Sequence, residues 1–200
     1  LTGKQGDVMK ESMACAKTMA FSLIDNKYKT EDLIHQGLHI HCPSASIPKD
    51  GPSAGGAICL AIYSFLMKKP IKYNVCMTGE IDLQGNITKI GGLEAKLTGA
   101  KKAGANLALI PKENHENLEK IYKEKVLDKD DSSFKVIEIE NIRETLKYAI
   151  VDYKNLFEDT IDEIKNELQF TENTNTKTNS DLNLSLHTRS KSTGNLNKSI

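Results

Sequence analysis

The sequence predicts an α/β (or α+β) fold in which helices pack on a mixed sheet. The main observation is that helical and strand-like hydrophobic patterns interleave along residues 1–150. The second is composition, since 38% of the 200 residues are hydrophobic, which is enough for a core over most of the length. We therefore expect one folded domain at 1–150, followed by extensions.

The first half of the chain predicts two helices and two strands. Apolar residues recur at helical spacing from Asp7 to Ile24, with an aspartate where the helix dipole favours negative charge. The alternation in Leu38–Cys42 predicts a strand, and a proline-rich loop follows at 43–52. The nearly all-apolar stretch Ser53–Met67 predicts a buried helix, and Asn74–Thr78 predicts a short strand.

The second half predicts shorter elements joined by recognisable turns. Ile81–Ile90 predicts a hairpin that turns through Gln84-Gly85-Asn86, and Gly104 predicts the end of a helix. The elements after the hairpin are, in order, a helix at Leu93–Ala103, a buried strand at Leu107–Ile110, an amphipathic helix at Glu113–Lys125, a strand at Phe134–Ile139 and a helix to Ile150 opened by a capping box of Asn141 and Glu144.

The composition changes beyond Ile150. Spaced apolar residues among many acidic ones predict one further amphipathic helix at 151–170. Residues 171–200 are rich in Asn, Ser, Thr and Lys and contain few aliphatic residues. Such a stretch cannot bury enough apolar surface to offset its ordering entropy, so we expect it to be disordered.

Charge and cysteine usage narrow the class of protein. The chain has 27 basic and 27 acidic residues, so its bulk charge gives no support for a nucleic-acid or anionic-membrane surface. No apolar run approaches the roughly 18 residues that a membrane span needs. The four cysteines are widely spaced in apolar segments, which predicts reduced thiols and an intracellular protein.

Ser53 is the first candidate for chemistry. It lies between small residues where a proline-rich loop meets an apolar helix, so a substrate could approach its hydroxyl closely. Backbone N–H groups around Gly51 to Ala54 would stabilise an oxyanion there. The alternative is an ordinary N-cap serine. A P-loop is excluded because Ala57-Ile58 stands where Lys-Ser/Thr is required.

The base for Ser53 is the second question. Gly51 to Gly55 fits the G-x-S-x-G elbow, but no strand leads into it, and only His115 and His187 follow. Lys96 follows a double-glycine turn and could act as a base if burial in an apolar pocket kept it neutral. The alternative is a solvated surface lysine, the role expected for Lys101 and Lys102. His39 and His41 share a strand face, but no further ligands converge, so no metal is expected.

Four separate blocks then resemble the proteolytic domain of Lon proteases, in that family's order and spacing. The resemblance spans roughly Leu1 to Ile150, and the blocks are Gly6–Ser12, Pro48–Gly55, Met77–Ile81 and Ile90–Lys96. It implies the Lon proteolytic-domain fold and an endopeptidase with a Ser–Lys dyad, in which Ser53 is the nucleophile and Lys96 the base. It also implies supporting residues, namely Thr78 holding the lysine, Asp50, Glu80 and the Gly51 region lining the site, and His41 near its floor.

The resemblance carries expectations about the wider protein as well. Lon proteases are ATP-dependent homohexamers, so we expect this protein to form a homohexamer. The resemblance also implies that its substrates are unfolded, misfolded or regulatory polypeptides. No cofactor is expected in this chain; ATP and Mg would bind an upstream module. The expected compartment is the mitochondrial matrix or the cytoplasm, with no membrane association and no nucleic acid bound by this domain.

Three features depart from the family pattern. Pro43 to Ser46 replaces the usual Pro-Glu-Gly, Glu94-Ala95 replaces the usual Lys-Glu, and the extension after Ile150 is unusual. None removes a catalytic group. Two other classes of function remain open at this point: an inactive homologue that acts as a scaffold, and a serine hydrolase that is not a peptidase and uses His115.

Overall fold

The computed structural model describes residues 1–35, 37–44 and 46–153. Within these ranges it contains six α-helices, five β-strands and two short 3-10 helices, at Asn26–Tyr28 and Lys112–Asn114. The α-helices are α1 (Asp7–Ser22), α2 (Glu31–His35), α3 (Gly55–Met67), α4 (Leu93–Lys102), α5 (His115–Lys123) and α6 (Ile142–Ala149). The strands are β1 (Val75–Met77), β2 (Glu80–Ile81), β3 (Ile87–Thr88), β4 (Leu107–Pro111) and β5 (Lys135–Ile139).

The described strands form two sheets. The larger is parallel, with the order β1-β4-β5, so that β4 is its centre; Val75 pairs with Leu107, and Leu109 with Ile137. The smaller is the antiparallel hairpin of β2 and β3. Helices interleave with parallel strands, as an α/β fold requires. The predicted fold class is confirmed.

Both faces of the larger sheet are covered, because successive residues of β4 point to opposite sides. Leu109 belongs to a core that it shares with α1, α3 and α6, including Tyr63 and Leu146. Ala108 and Ile110 belong to a second core with α4, α5 and the segment that leads into β5. This arrangement leaves the carboxyl end of β1 beside the start of α3 and the first turns of α4, where the candidate site lies.

Most predicted elements are present at nearly their predicted bounds. The capping box is confirmed: Asn141 accepts a hydrogen bond from the N–H of Arg143 at 3.1 Å, and Glu144 accepts from the N–H of Asn141 at 3.0 Å. Gly104 follows α4 with φ +88°, the left-handed conformation that glycine favours after a helix. The hairpin turn at Gln84 to Asn86 is likewise confirmed.

Three local predictions were wrong. Leu38–Cys42 is not a strand, because its pairing is limited to one parallel bridge between His41 and Thr2. The helix expected from Ser53 begins at Gly55, and it is not wholly buried, since Phe65 is 59% exposed. The amphipathic helix expected from Glu113 begins at His115 after a 3-10 turn.

The remaining predictions concern the end of the chain. The helix expected at 151–170 lies outside the described residues except for its first three positions, and the tail at 171–200 lies wholly outside them. Among the helices that the structure describes, none has the length and apolar character to cross a membrane.

Candidate active site

Ser53 and Lys96, which are 43 residues apart in sequence, meet at the start of α3. The Nζ of Lys96 donates a hydrogen bond to the Oγ of Ser53 at 3.2 Å. Ser53 lies in the turn that precedes α3, and Lys96 lies in the first turns of α4. A hydroxyl and an amine at this distance can exchange a proton directly.

The main chain of Ser53 is held by the residues that follow β1. Its carbonyl oxygen accepts a hydrogen bond from the N–H of Gly79 at 2.8 Å and another from the Oγ1 of Thr78 at 3.1 Å. The carbonyl of Gly79 in turn accepts from the N–H of Gly56 at 3.0 Å. A side chain at Gly79 would collide with Ile87, so glycine permits this close approach. The position of the serine is thereby fixed to the end of β1.

Lys96 is positioned by the turn that begins α4. Gly92 takes a left-handed conformation, φ +68°, and its carbonyl accepts a hydrogen bond from the N–H of Lys96 at 3.2 Å. Leu93 and Leu97 occupy the buried face of α4. Because Lys96 lies beside that face rather than on it, its side chain is exposed. The expectation that an apolar pocket shields this lysine from water was therefore wrong for the chain as described.

An apolar cavity of about 250 Å³ adjoins the two side chains. Besides Ser53 and Lys96 it is lined by Ala54, Cys76, Met77, Thr78, Leu97, Ala100, Ala108, Leu109 and Ile110. Burial raises the pKa of the Cys76 thiol, the cause being loss of hydration of its charged form. The cavity thus presents an apolar surface next to the Ser53 hydroxyl and the Lys96 amine.

No carboxylate among the described residues lies within 4.0 Å of the Lys96 amine. Lys101, on the same helix, pairs with Asp131 at 2.5 Å. Asp50 is occupied elsewhere: its Oδ1 accepts from the N–H groups of Met9 at 2.9 Å and Gly51 at 2.8 Å. Glu80 is exposed on β2. The structure therefore brings Ser53, Lys96 and Thr78 together, and it gives Asp50 and Glu80 no hydrogen bond to any of the three.

His39, His41 and His115 lie apart from this cavity. The Nδ1 of His41 and the Nε2 of His39 both hydrogen-bond the Oγ1 of Thr2, at 2.8 and 2.9 Å. His41 lines a different depression, between residues 37–41 and α3. His115 is exposed and pairs with Glu138 at 2.9 Å. No group of three metal-ligating side chains occurs in the described part of the chain.

Sequence reasoning missed one polar contact at the site. Ser12, on α1, donates a hydrogen bond to the carbonyl of Pro52, the residue before Ser53, at 3.1 Å. The sequence signal that could have found this contact is a small polar residue, Ser12, within the apolar stripe of α1.

All four cysteines are free thiols, as predicted.

Comparison with known proteins decides the family. Residues 1–152 match the family described as the Lon protease (S16) C-terminal proteolytic domain. The chain belongs to this family. The Lon protease of Buchnera aphidicola (subsp. Schizaphis graminum) is 43% identical over 150 residues, and that of Vibrio parahaemolyticus is 42% identical over 150. The Lon protease of Rickettsia felis is 43% identical over 160 residues.

The alignments cover 74–76% of this chain but 18–19% of the length of those relatives. The chain therefore corresponds to the proteolytic domain of a Lon-type protein and to about a fifth of such a protein's length. The match ends at 152, next to the point at which the sequence changes composition. The resemblance noted from four short blocks is thus confirmed.

Proposed function

We propose that this chain is the proteolytic part of a serine endopeptidase, with Ser53 as nucleophile and Lys96 as general base. The observation that carries the proposal is the 3.2 Å separation between Ser53 Oγ and Lys96 Nζ. A nucleophile and its base within hydrogen-bond reach are the signature of nucleophilic catalysis. Membership of the Lon proteolytic-domain family supports the same reaction class.

The reaction is acyl transfer in two halves. Neutral Lys96 accepts the hydroxyl proton of Ser53 while Oγ bonds to the carbonyl carbon of the scissile peptide. The C–N bond then breaks, and the lysine returns the proton to the leaving amine. In the second half, water attacks the ester, Lys96 accepts the proton of that water, and the proton returns to Ser53 as the acid product leaves.

The oxyanion of each half-reaction requires hydrogen-bond donors. Pro52 has no N–H, and the N–H of Gly51 donates to Asp50, so two of the four positions expected at Gly51 to Ala54 are not available. The N–H groups of Ser53 and Ala54 remain, and neither has an acceptor within residues 1–35, 37–44 and 46–153. A donor of this kind contributes roughly 3 kcal/mol to the transition state.

The proposal also covers the wider protein. We extend the proposal to a homohexameric, ATP-dependent protease of quality control that degrades unfolded, misfolded or regulatory polypeptides. ATP and Mg would bind outside this chain, which needs no cofactor for the chemistry above. The support is similarity to proteins named Lon protease that are about five times longer than the matched region. An intracellular compartment, the matrix or the cytoplasm, is consistent with four free thiols.

The test compares four variants in a fluorogenic peptide-cleavage assay. Ser53→Ala and Lys96→Ala should each lower kcat at least a thousandfold without changing the melting temperature. Lys102→Ala is the matched control, because it removes an exposed lysine from the same helix and should leave kcat unchanged. His115→Ala should also be unchanged. Normal cleavage by Lys96→Ala would end the dyad hypothesis.

Two outcomes separate the rival classes. A fluorophosphonate probe should label the parent protein at Ser53; a scaffold homologue would remain unlabelled although it is folded. A serine hydrolase of another class would lose activity in His115→Ala and retain it in Lys96→Ala.

A further inference from the structure

Helix α1 contacts the loop before Ser53 at two points. The first is the N-terminus of α1: the N-cap residue Gly6 has no side chain, and Asp50 instead accepts from the N–H of Met9 at 2.9 Å. A side chain at Gly6 would collide with the Asp50 carboxylate. The second is the 3.1 Å hydrogen bond from Ser12 to the carbonyl of Pro52. The loop is therefore attached to α1 on both sides of Gly51.

The Pro52 carbonyl is fixed by two donors. Besides Ser12 Oγ at 3.1 Å, the N–H of Gly55 donates to it at 2.9 Å and closes the turn that contains Ser53. This peptide bond is trans, so the N–H of Ser53 points to the side opposite the Pro52 carbonyl. Holding the carbonyl against α1 thus directs the N–H of Ser53 away from α1.

The next peptide plane is held in the same way. The carbonyl of Ser53 accepts from Gly79 N–H and Thr78 Oγ1, which directs the N–H of Ala54 to the opposite side of that plane. Each of the two planes flanking the nucleophile therefore has one main-chain and one side-chain donor on its carbonyl. Donors that are fixed before the reaction lose no energy to reorganisation when the oxyanion forms.

The burial of Ser12 argues against a role in packing alone. Its side chain is 7% exposed and lies on the apolar face of α1. A hydroxyl in such a place costs free energy unless it is hydrogen-bonded, and alanine would fill the position without that cost. A Cβ at Gly55 would lie 2.7 Å from Ser12 Oγ, so the hydroxyl approaches the turn closely because residue 55 is glycine.

We propose that Ser12 is a positioning residue for the peptidase reaction, which orients the Ser53 N–H toward the oxyanion by holding the carbonyl of Pro52. The inference rests on the proposed function of Ser53 and adds a residue of α1 to it. Ser12 does not touch the reacting atoms. Its loss should therefore weaken transition-state binding and leave substrate binding nearly unchanged.

The experiment compares Ser12→Ala with Ser64→Ala in the full protein. Ser64 is a matched control because it also loses a serine-to-carbonyl hydrogen bond, to Lys69 at 2.6 Å, at the far end of α3. Rates are expressed per active site titrated with a fluorophosphonate, so that only folded molecules are counted. We expect kcat of Ser12→Ala to be about tenfold lower, with KM within twofold; tenfold corresponds to about 1.4 kcal/mol.

A second readout isolates the oxyanion. A peptide boronate forms a tetrahedral adduct with Ser53, whereas the cleaved product peptide binds without one. Ser12→Ala should weaken boronate inhibition about tenfold and leave product inhibition unchanged, and Ser64→Ala should change neither. Equal kcat and equal boronate inhibition in the two variants would overturn the inference. Activity that survives Ser53→Ala in the same panel would instead overturn the proposed function.

Discussion

Thr78 offers a direct test of how Ser53 is held. The resemblance to Lon proteases implies that this hydroxyl holds the lysine, whereas the structure gives it a 3.1 Å hydrogen bond to the carbonyl of Ser53. Thr78→Val removes the hydroxyl and keeps the branched shape. Thr78→Ser is the matched control, because it keeps the hydroxyl and removes the methyl group.

The size of the effect follows from the contacts. A hydrogen bond between a neutral hydroxyl and a carbonyl contributes about 1 kcal/mol net. The Ser53 carbonyl keeps the Gly79 N–H at 2.8 Å after the substitution, so no unpaired carbonyl is created and no larger penalty applies. We expect Thr78→Val to lower the free energy of unfolding by about 1 kcal/mol and the melting temperature by roughly 3 °C. The same energy in the transition state corresponds to about a fivefold loss of kcat.

The assays are thermal unfolding and fluorogenic peptide cleavage, both on the same preparations. Thr78→Ser should lie within twofold of the parent in kcat. A thousandfold loss in Thr78→Val with an unchanged melting temperature would refute the reasoning. That result would indicate that the Thr78 hydroxyl holds Lys96, which is the role implied by the resemblance.

Two further predictions concern charge and thiol chemistry. The hydrogen bond from Lys101 lowers the pKa of Asp131 well below its usual range, with further help from Ser133. The lowered pKa stabilises the fold, and this stabilisation is fully present above the unfolded-state pKa of about 4. It is lost gradually as the pH falls from there through the lower folded-state pKa. Asp131→Asn should therefore be less stable than the parent in urea at pH 7, and the difference should shrink steadily as the pH is lowered below 4; a difference that does not change with pH would contradict this. Burial raises the pKa of Cys59 to about 12. Iodoacetamide at pH 8 should label Cys59 last of the four cysteines, as peptide mass spectrometry would show, and early labelling would contradict its burial.

The order of elements was predictable because each has a local cause in the sequence. The capping box of Asn141, the glycine after α4 and the hairpin at Gly85 are short-range signals, and all three are confirmed. The failure at Leu38–Cys42 has a different origin. Alternation predicts a strand only if a partner strand exists, and the partner here is limited to a single bridge at Thr2.

The structure brings together only part of the predicted set of site residues, namely Ser53, Lys96 and Thr78. Four sequence blocks identified Ser53 and Lys96, and periodicity alone could not have paired a residue in the turn before α3 with one on α4. The exposure of Lys96 depends on which edge of α4 faces the cavity. The hydrogen bond of Ser12 is to the carbonyl of Pro52, 40 positions away in sequence. Both depend on tertiary packing that no local pattern encodes.

Lys96 and Lys101 show why packing, rather than residue type, assigns the chemistry on α4. Both are exposed lysines on one helix, yet the amine of Lys101 pairs with the carboxylate of Asp131 at 2.5 Å. The Lys96 amine meets a hydroxyl instead, and no carboxylate of the described residues lies within 4.0 Å of it. The proposed mechanism needs a base that meets the Ser53 hydroxyl directly, and of these two lysines Lys96 is the one that does so, beside the apolar cavity. Under the same proposal, a carboxylate introduced beside Lys96 would pair with the amine and lower the rate of peptide cleavage.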